Sequence, residues 1–358
     1  MERIIRILVT GGGSPGIVGT IYALRNNSDG VKVNIITCDI QPGAVGKYLS
    51  DNFYLVPPAE NPEFINSILE VSKREKVDVI LPQVTKELLP LAENKPLFES
   101  KGIKIAISSK HSIEIANDKW NVTIAAIESG APVPVSILAK SEIEFIKAVR
   151  ALGYPEKKVV VKPRVSNGLR GLRIISEETW DVERFLSQKP ESIEISLQNL
   201  LDILHKGDWP ELIVQEFLPG DEYTIDVFRG SNNVIAIPRL REKIRSGITF
   251  SAKIELRKDL ELYAINLAKK LDLKYAFGFQ FKLSNNGIPK LLECNPRVQG
   301  TMVAATFAGS NLIWWSIKEA LGEKIKFGEI NRCNDGMRFI RYWGGIAVDN
   351  NDKKIGTI

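Results

Sequence analysis

Histidine, methionine and cysteine are scarce in this 358-residue chain, with two, three and three copies. Cys38, Cys294 and Cys333 are odd in number and widely spaced, which excludes a disulfide framework and a cysteine metal cluster and points to a reducing compartment. His111 and His205 lie outside every motif described below, so neither is the expected catalytic base. No apolar stretch is long enough to span a bilayer, and the chain runs from Met1-Glu2-Arg3 straight into a strand pattern. The expectation is therefore a cytoplasmic protein with neither leader nor membrane segment. Low-complexity segments and internal repeats are also missing. The net charge of +5 is modest and contains few basic runs, which favours anionic small molecules over nucleic acid. With 44% hydrophobic and 25% charged residues, the chain has an ordinary globular composition and enough length for two or three domains.

The first 115 residues alternate short apolar strands (6–10, 33–39, 78–82, 103–107) with helical patterns (17–25, 62–76, 85–99). That alternation predicts a parallel, Rossmann-like sheet. Gly11, Gly13 and Gly16 satisfy G-x-G-x-x-G, and Asp39 closes the second strand as a ribose-binding acid would. Taken alone, this is a dinucleotide fingerprint and supports an NAD-dependent oxidoreductase. Pro15 within the turn departs from it, and the favoured reading is a tight strand-to-helix turn that leaves an anion site at the helix N-terminus open. A helix over 112–129, a strand at 135–138 and a helix over 141–152 capped by Ser141 mark a small α+β subdomain, 116–189. A second subdomain, 190–345, holds a helix over 195–206, strands at 212–216, 223–229 and 234–238, and a helix over 258–271. A hairpin over 277–295 and a helix over 302–321 follow. The polar tail, 346–358, is expected to be loosely held.

The chemistry concentrates in Leu291-Leu292-Glu293-Cys294-Asn295-Pro296-Arg297. Strand alternation puts Glu293 and Asn295 on one face. A carboxylate and an amide oxygen there suit a hard cation such as Mg²⁺, which keeps other positions for phosphates. Pro296 ends the strand, and Arg297 offers a planar fork for phosphate. Upstream, Phe277–Leu283 reads as a strand, and Asn285-Asn286-Gly287 as the hairpin turn that sets Gln280 across from Glu293. Lys162 lies on the apolar strand 159–164, where a lysine needs an anionic partner. Arg239, Arg241, Lys243 and Arg245 form a basic cluster that is either a solvated strand edge or, through Arg241 or Arg245, a phosphate or acid contact.

These residues, with segments 159–164, 165–171 and 213–227, give the chain a resemblance to the ATP-grasp superfamily across residues 116 to 310. With residues 1–115 included, it resembles a single synthetase unit of the carbamoyl-phosphate synthetase large subunit. The resemblance implies a pre-ATP-grasp domain followed by a two-subdomain ATP-grasp fold. It implies that Lys119 and Lys162 contact nucleotide, and that Ser166 and Gly168 belong to a loop closing over phosphates. Gln215, Glu216 and Leu218 would meet adenine, and Glu222 the ribose. Gln280, Glu293 and Asn295 would hold Mg²⁺, for which Mn²⁺ is a possible substitute. Arg297, Arg241 and Arg245 form the expected catalytic set. The implied activity is an ADP-forming ligation of a small carboxylate to an amine or related nucleophile. Phosphorylation of bicarbonate or carbamate is the alternative within the superfamily. The implied partners are ATP and these small molecules, with no nucleic acid or membrane, and family habit suggests a homodimer.

Overall fold

The computed structural model describes residues 3–166, 168–177, 181–187, 193–325 and 333–358. Its N-terminal unit is a parallel five-stranded sheet of β1 (Ile4–Thr10), β2 (Lys32–Asp39), β3 (Asn52–Leu55), β4 (Val79–Leu81) and β5 (Lys104–Ile105), in the order β3-β2-β1-β4-β5. α1 (Ile17–Arg25) covers one face, and α2 (Phe64–Arg74), α3 (Thr85–Glu93) and α4 (Lys95–Glu99) pack in the core of the other. The expected Rossmann-like sheet is present, with β3 as a strand that periodicity missed. The continuous helix expected over 85–99 divides at Asn94, whose N–H donates to the Pro90 and Ala92 carbonyls as the C-cap of one helix and which is the N-cap of the next.

The glycine turn after β1 is folded in on itself. Gly11 has φ +68°, and a Cβ there would lie 2.6 Å from Val84. Asp39 is committed to the turn, accepting from the Gly13 N–H at 2.7 Å and the Gln41 N–H at 2.8 Å. The 3₁₀ turn Val45–Tyr48 lies over it, with the Gly46 N–H donating to the Gly12 carbonyl at 2.8 Å. Both features a dinucleotide site would use, the acid and the open glycine backbone, are thus spent on the loop's own structure.

α5 (Lys110–Asn117) and α6 (Lys119–Glu128) replace the single helix expected over 112–129. The break is chemical: the Asp118 side chain accepts from the N–H groups of Trp120 and Asn121 and so caps a new helix. A small sheet follows, made of β6 (Ser136–Ala139), β7 (Val159–Pro163), β8 (Arg173–Ile175), β9 (Glu194–Ile195) and β10 (Leu212–Glu216), in the order β6-β10-β7-β8-β9. Its helices are α7 (Glu142–Ala151), α8 (Val182–Ser187) and α9 (Leu197–Leu204), and the Ser141 cap of α7 forms as expected. Because β10 pairs with both β6 and β7, this sheet extends to Glu216, and the boundary expected at 190 falls inside it.

The large sheet is antiparallel: β11 (Glu222–Arg229), β12 (Val234–Arg245), β13 (Ile248–Ile254), β14 (Tyr275–Leu283), β15 (Pro289–Asn295) and the edge strand β16 (Arg338–Ile340), in the order β15-β14-β11-β12-β13-β16. α10 (Lys258–Lys270) and α6 share a core against one face. α11 (Val303–Phe307) and α12 (Leu312–Ala320) share a core with α1 and the N-terminal sheet, so the first and last units pack as neighbours. One helix was expected over 302–321; the chain turns at Gly309 (φ +101°), and Asn311 caps α12 through Trp314. The tail is paired rather than loose: β17 (Ile346–Val348) and β18 (Lys354–Thr357) form a hairpin, and its Asp352 binds Lys47 and Tyr48. Among the described residues, no helix is long and apolar enough to cross a membrane.

Glu87 in the first turn of α3 is buried, and its Oε2 has no hydrogen-bond partner among the described residues. Burial is the largest cause pushing its carboxyl up to about 7, with Asp39 adding repulsion and a Thr10 hydrogen bond opposing. The folded state therefore holds a proton that the unfolded chain releases above about pH 4.5. The stabilisation is present at low pH and is lost as pH rises through about 7. We expect unfolding free energy to fall by about 3 kcal/mol across that window through this group. Glu87→Gln should flatten the slope in urea denaturation at pH 5 and 8; an unchanged slope would show that Glu87 is not its source.

Candidate active site

A cleft of about 750 Å³ runs between the small sheet and one face of the large sheet and ends against the N-terminal unit. Strand register places its floor. Glu293 pairs with Gln280, Gln280 with Thr224, and Thr224 with Arg239, forming one row across β15, β14, β11 and β12. The adjacent row is Asn295, Gly278 and Asp226. Residues directly opposite in antiparallel strands share a face, so the two strands of the β14–β15 hairpin bring the expected oxygen set together. Asn295 donates to Glu293 Oε1 at 3.1 Å and accepts from Arg297 Nη2 at 3.4 Å through Oδ1. The Gln280 side chain has no hydrogen-bond partner among the described residues. The donor chemistry, one carboxylate and two amide groups beside phosphate-sized space, fits Mg²⁺.

Opposite this row is Lys162 on β7, 5% exposed. Its Nζ donates to the Leu292 carbonyl at 2.9 Å. That carbonyl is available because the ladder shifts here: Gln280 pairs with Glu293 but Phe281 with Leu291, leaving Leu292 as the extra residue of a bulge. Burial pushes Lys162 down to about 8, Glu293 opposes, and Lys119 adds to the depression. Among the described residues no carboxylate forms an ion pair with Lys162, so the anion it calls for is left to a ligand.

At one end, Gln215 donates to Ser136 Oγ at 2.8 Å, and Glu216 accepts from Lys290 and from the Val135 N–H. Leu218, 4% exposed, keeps its N–H without a described acceptor in the linker after β10. Glu222 lines the cleft but is bound by Arg241, whose other groups reach Thr249 Oγ1 at 2.8 Å and the Gly247 carbonyl at 2.7 Å. Arg241 is thus a buried strut within the site wall. Arg245 is exposed and stacks over Phe250, 4.9 Å from the ring centre, outside the cleft lining. Lys119 is buried and holds Ser166 through its carbonyl and, at 3.0 Å, its hydroxyl; both stand behind the lining. Gly168 (φ +61°) lines the cleft, and the following Leu169 meets Gly247 across it.

At the other end stand Gln299, Thr85 and Lys86, which sequence reading did not single out, together with Arg239 of the basic cluster and the Ser14–Gly16 part of the glycine turn. Arg297 joins this end to α3 through Thr85 Oγ1 at 3.2 Å, and burial lowers its pKa without removing its charge. The cleft lining carries seven Lys and Arg side chains against three carboxylates, so its field favours polyanions. Arg239 was visible in the basic cluster, but only the pairing register distinguishes it from Arg245.

A family model described as "ATP-grasp in the biosynthetic pathway with Ter operon" matches residues 208–339, and one described as "PylC-like, N-terminal domain" matches residues 7–106. The carbamoyl phosphate synthase large chain, C-terminal section, of Aquifex aeolicus is 22% identical over 86% of this chain and 55% of its own length. The chain spans about half, or less, of the curated carbamoyl phosphate synthase relatives it matches first. The ADP complex of N5-carboxyaminoimidazole synthetase from Staphylococcus aureus superposes with a TM-score of 0.66 at 17% identity, covering 91% of this chain and 80% of that one. The biotin carboxylase domain of Hydrogenobacter thermophilus 2-oxoglutarate carboxylase, a dimer with MgADP, ADP and bicarbonate, gives 0.65 at 20% identity, covering 90% and 70%. With the cleft geometry, these findings show an ATP-grasp domain behind a PylC-like N-terminal domain, with similarity to the carbamoyl phosphate synthase large chain.

Proposed function

We propose that this protein is an ATP-dependent carboxylate–amine ligase, or one using a related nucleophile. The carrying observation is Lys162, a buried amine without a carboxylate partner, facing the Glu293–Asn295–Gln280 oxygen set across one positive cleft. Gln215, Glu216 and Leu218 support an adenine seat, and Glu222 a ribose contact. Gly168 belongs to the loop over the phosphates. Lys119 and Ser166 act one layer back by anchoring that loop, and Arg241 by orienting Glu222. Glu293, Asn295 and Gln280 would hold Mg²⁺, which neutralises phosphate charge when bound. Lys162 and Arg297 meet the phosphoryl oxygens. A substrate carboxylate oxygen attacks the γ-phosphorus and ADP leaves. The nucleophile then attacks the acyl carbon, phosphate leaves, and an amine nitrogen gives up its proton. Position and charge supply the catalysis, with no covalent protein intermediate. Bicarbonate as the acid is the second reading, supported by its presence in the Hydrogenobacter thermophilus structure; ADP release requiring bicarbonate alone would select it. An ADP-release screen of acids crossed with amines would identify the substrates.

Lys162→Met should move stability and binding in opposite directions. Between about pH 8 and 10.5 the unfolded chain holds the proton more tightly, so the wild-type fold gains stability as pH rises and carries the full penalty below pH 8. Removing the amine should stabilise the ligand-free protein at pH 7 by about 2 kcal/mol, less than the full shift because Leu292 loses its donor. The same variant should lose MgATP affinity by roughly tenfold or more. Unchanged calorimetric affinity would make Lys162 a structural group only.

Glu293→Ala should abolish ADP release while leaving the melting temperature within a few degrees of wild type. Asn295→Ala should be milder, since a neutral oxygen is lost. Normal turnover in Glu293→Ala would remove the metal assignment.

A further inference from the structure

Positive charge also gathers away from the cleft, where the N-terminal unit meets the outer end of β14. Lys95, Lys104 and Lys274 come together there, and none of them forms an ion pair among the described residues. Lys95, the first residue of α4, is half-buried. Its Nζ donates to the Ile107 carbonyl at 3.4 Å and stands 5.6 Å from the centre of the Tyr275 ring. Burial holds its pKa below the ordinary lysine value; Glu99 opposes, and Lys274 and Lys104 add to the depression. Lys104 lies on β5, just upstream of Ile107. Lys274 is bolted to the residue after Ile107: its N–H donates to Ser108 Oγ at 2.9 Å, and its carbonyl accepts from the same hydroxyl at 3.1 Å.

The backbone that carries Lys274 is strained. Asp272 and Tyr275 have φ +47° and +65°, in the link between α10 and β14. For a residue as bulky as tyrosine that conformation is an outlier. The link is fastened along its length. Ser112 donates to the Asp272 carbonyl at 3.1 Å, Arg229 pairs with Asp272 at 2.7 Å, and Ser108 holds Lys274. Strain of this kind persists only where the surroundings over-determine it, and it clusters at ligand clamps. Here it places the Tyr275 ring beneath the Lys95 ammonium and brings a third like charge within Coulombic reach. Two carboxylates approach the cluster. Glu319 faces Tyr275 but is committed to the Ser231 N–H at 2.8 Å and hydroxyl at 2.6 Å. Glu99 is exposed, and it alone opposes three ammonium groups. Repulsion among lysines held by a strained link raises the energy of the free protein, and an anion between them removes that cost.

We propose that Lys95, Lys104 and Lys274 form a binding site for a phosphate group, closed on one side by the Tyr275 ring, at the seam between the N-terminal unit and the large sheet. Ammonium groups are compact charges with three donors each, so converging from separate elements they suit a tetrahedral oxyanion. The site is separate from the nucleotide cleft, which none of the three lysines lines. Along β14, Gln280 lies about 16 Å from Tyr275 at the usual rise of an extended strand.

Inorganic phosphate is the first probe and methyl phosphate the second, each titrated calorimetrically into the full chain saturated with MgADP. Sodium chloride at matched ionic strength is the reference. Wild type should bind phosphate saturably, and its melting temperature should rise by a few degrees beyond the chloride reference. Lys95→Met and Lys274→Met should each weaken phosphate roughly fivefold or more. Without phosphate both should melt at or above wild type, because a like charge is gone. Lys274 is exposed, so its variant decides the matter even if Lys95→Met fails to fold. MgADP affinity should be unchanged in both, and phosphate affinity unchanged in Lys162→Met. Binding of phosphate without methyl phosphate would support a site for the free anion, and equal binding a site for a phosphomonoester. Absence of saturable binding, stabilisation no greater than that from chloride, or full affinity in Lys274→Met would overturn the proposal. So would loss of phosphate binding in Lys162→Met, which would put the anion in the cleft.

Discussion

The contact on which the cleft depends is the hydrogen bond from Lys162 to the Leu292 carbonyl. It crosses from the small sheet to the large one. It exists because β15 carries one residue too many at that point, which takes Leu292 out of the ladder and turns its carbonyl toward β7. The same bulge leaves Glu293 opposite Gln280 while returning Leu291 to the core beside Phe281. One local irregularity thereby supplies a cation's anchor, aligns an oxygen set and preserves the apolar face beneath. A regular ladder could satisfy only two of these three demands, since side chains alternate strictly between faces.

Around that contact the charges divide into those already satisfied and those held open. Arg241 and Asp226–Arg239 are buried and bound to the protein, which makes the floor rigid. Lys162, Leu218 and the donors Arg239 Nη1 and Gln299 Nε2, which have no hydrogen-bond partner among the described residues, are the exceptions. They follow one another along the cleft from the β10 linker to the glycine wall. A fold keeps unsatisfied buried polar groups only at a cost, so their alignment along one cavity is itself a description of a ligand that is polar along its length.

Much of the fold was legible because periodicity is local. The parallel N-terminal sheet, the hairpin over 277–295 and the α7 cap follow from apolar spacing and turn residues. The helix breaks at Asp118 and Gly309 were not, because a cap within a helical pattern reads as one more helical residue until its side chain is seen turning back. The boundary at 190 was misplaced for a similar reason: β10 is adjacent in sequence to the large sheet and is claimed by the small one. The tail looked loose because its polar composition hides a hairpin held by distant Lys47 and Tyr48.

The sequence by itself determined which residues could do chemistry. Glu293, Asn295, Gln280 and Lys162 stand out as polar groups on apolar strands, and Arg297 as a cation just past a strand end, where their desolvation demands a reason. Only the tertiary structure decided which of them meet. Arg239 and Arg245 are alike in sequence, both arginines on one long strand, yet one is locked beside Asp226 in the cleft and the other stacks on Phe250 outside it. Gly278 reads as a weak point in a strand until Gln299 is seen lying on it. The glycine turn reads as a nucleotide fingerprint until Asp39 is seen folded back on Gly13. Apart from the Arg245–Phe250 stack, the deciding interactions join residues that no local pattern links and that only chain packing brings near.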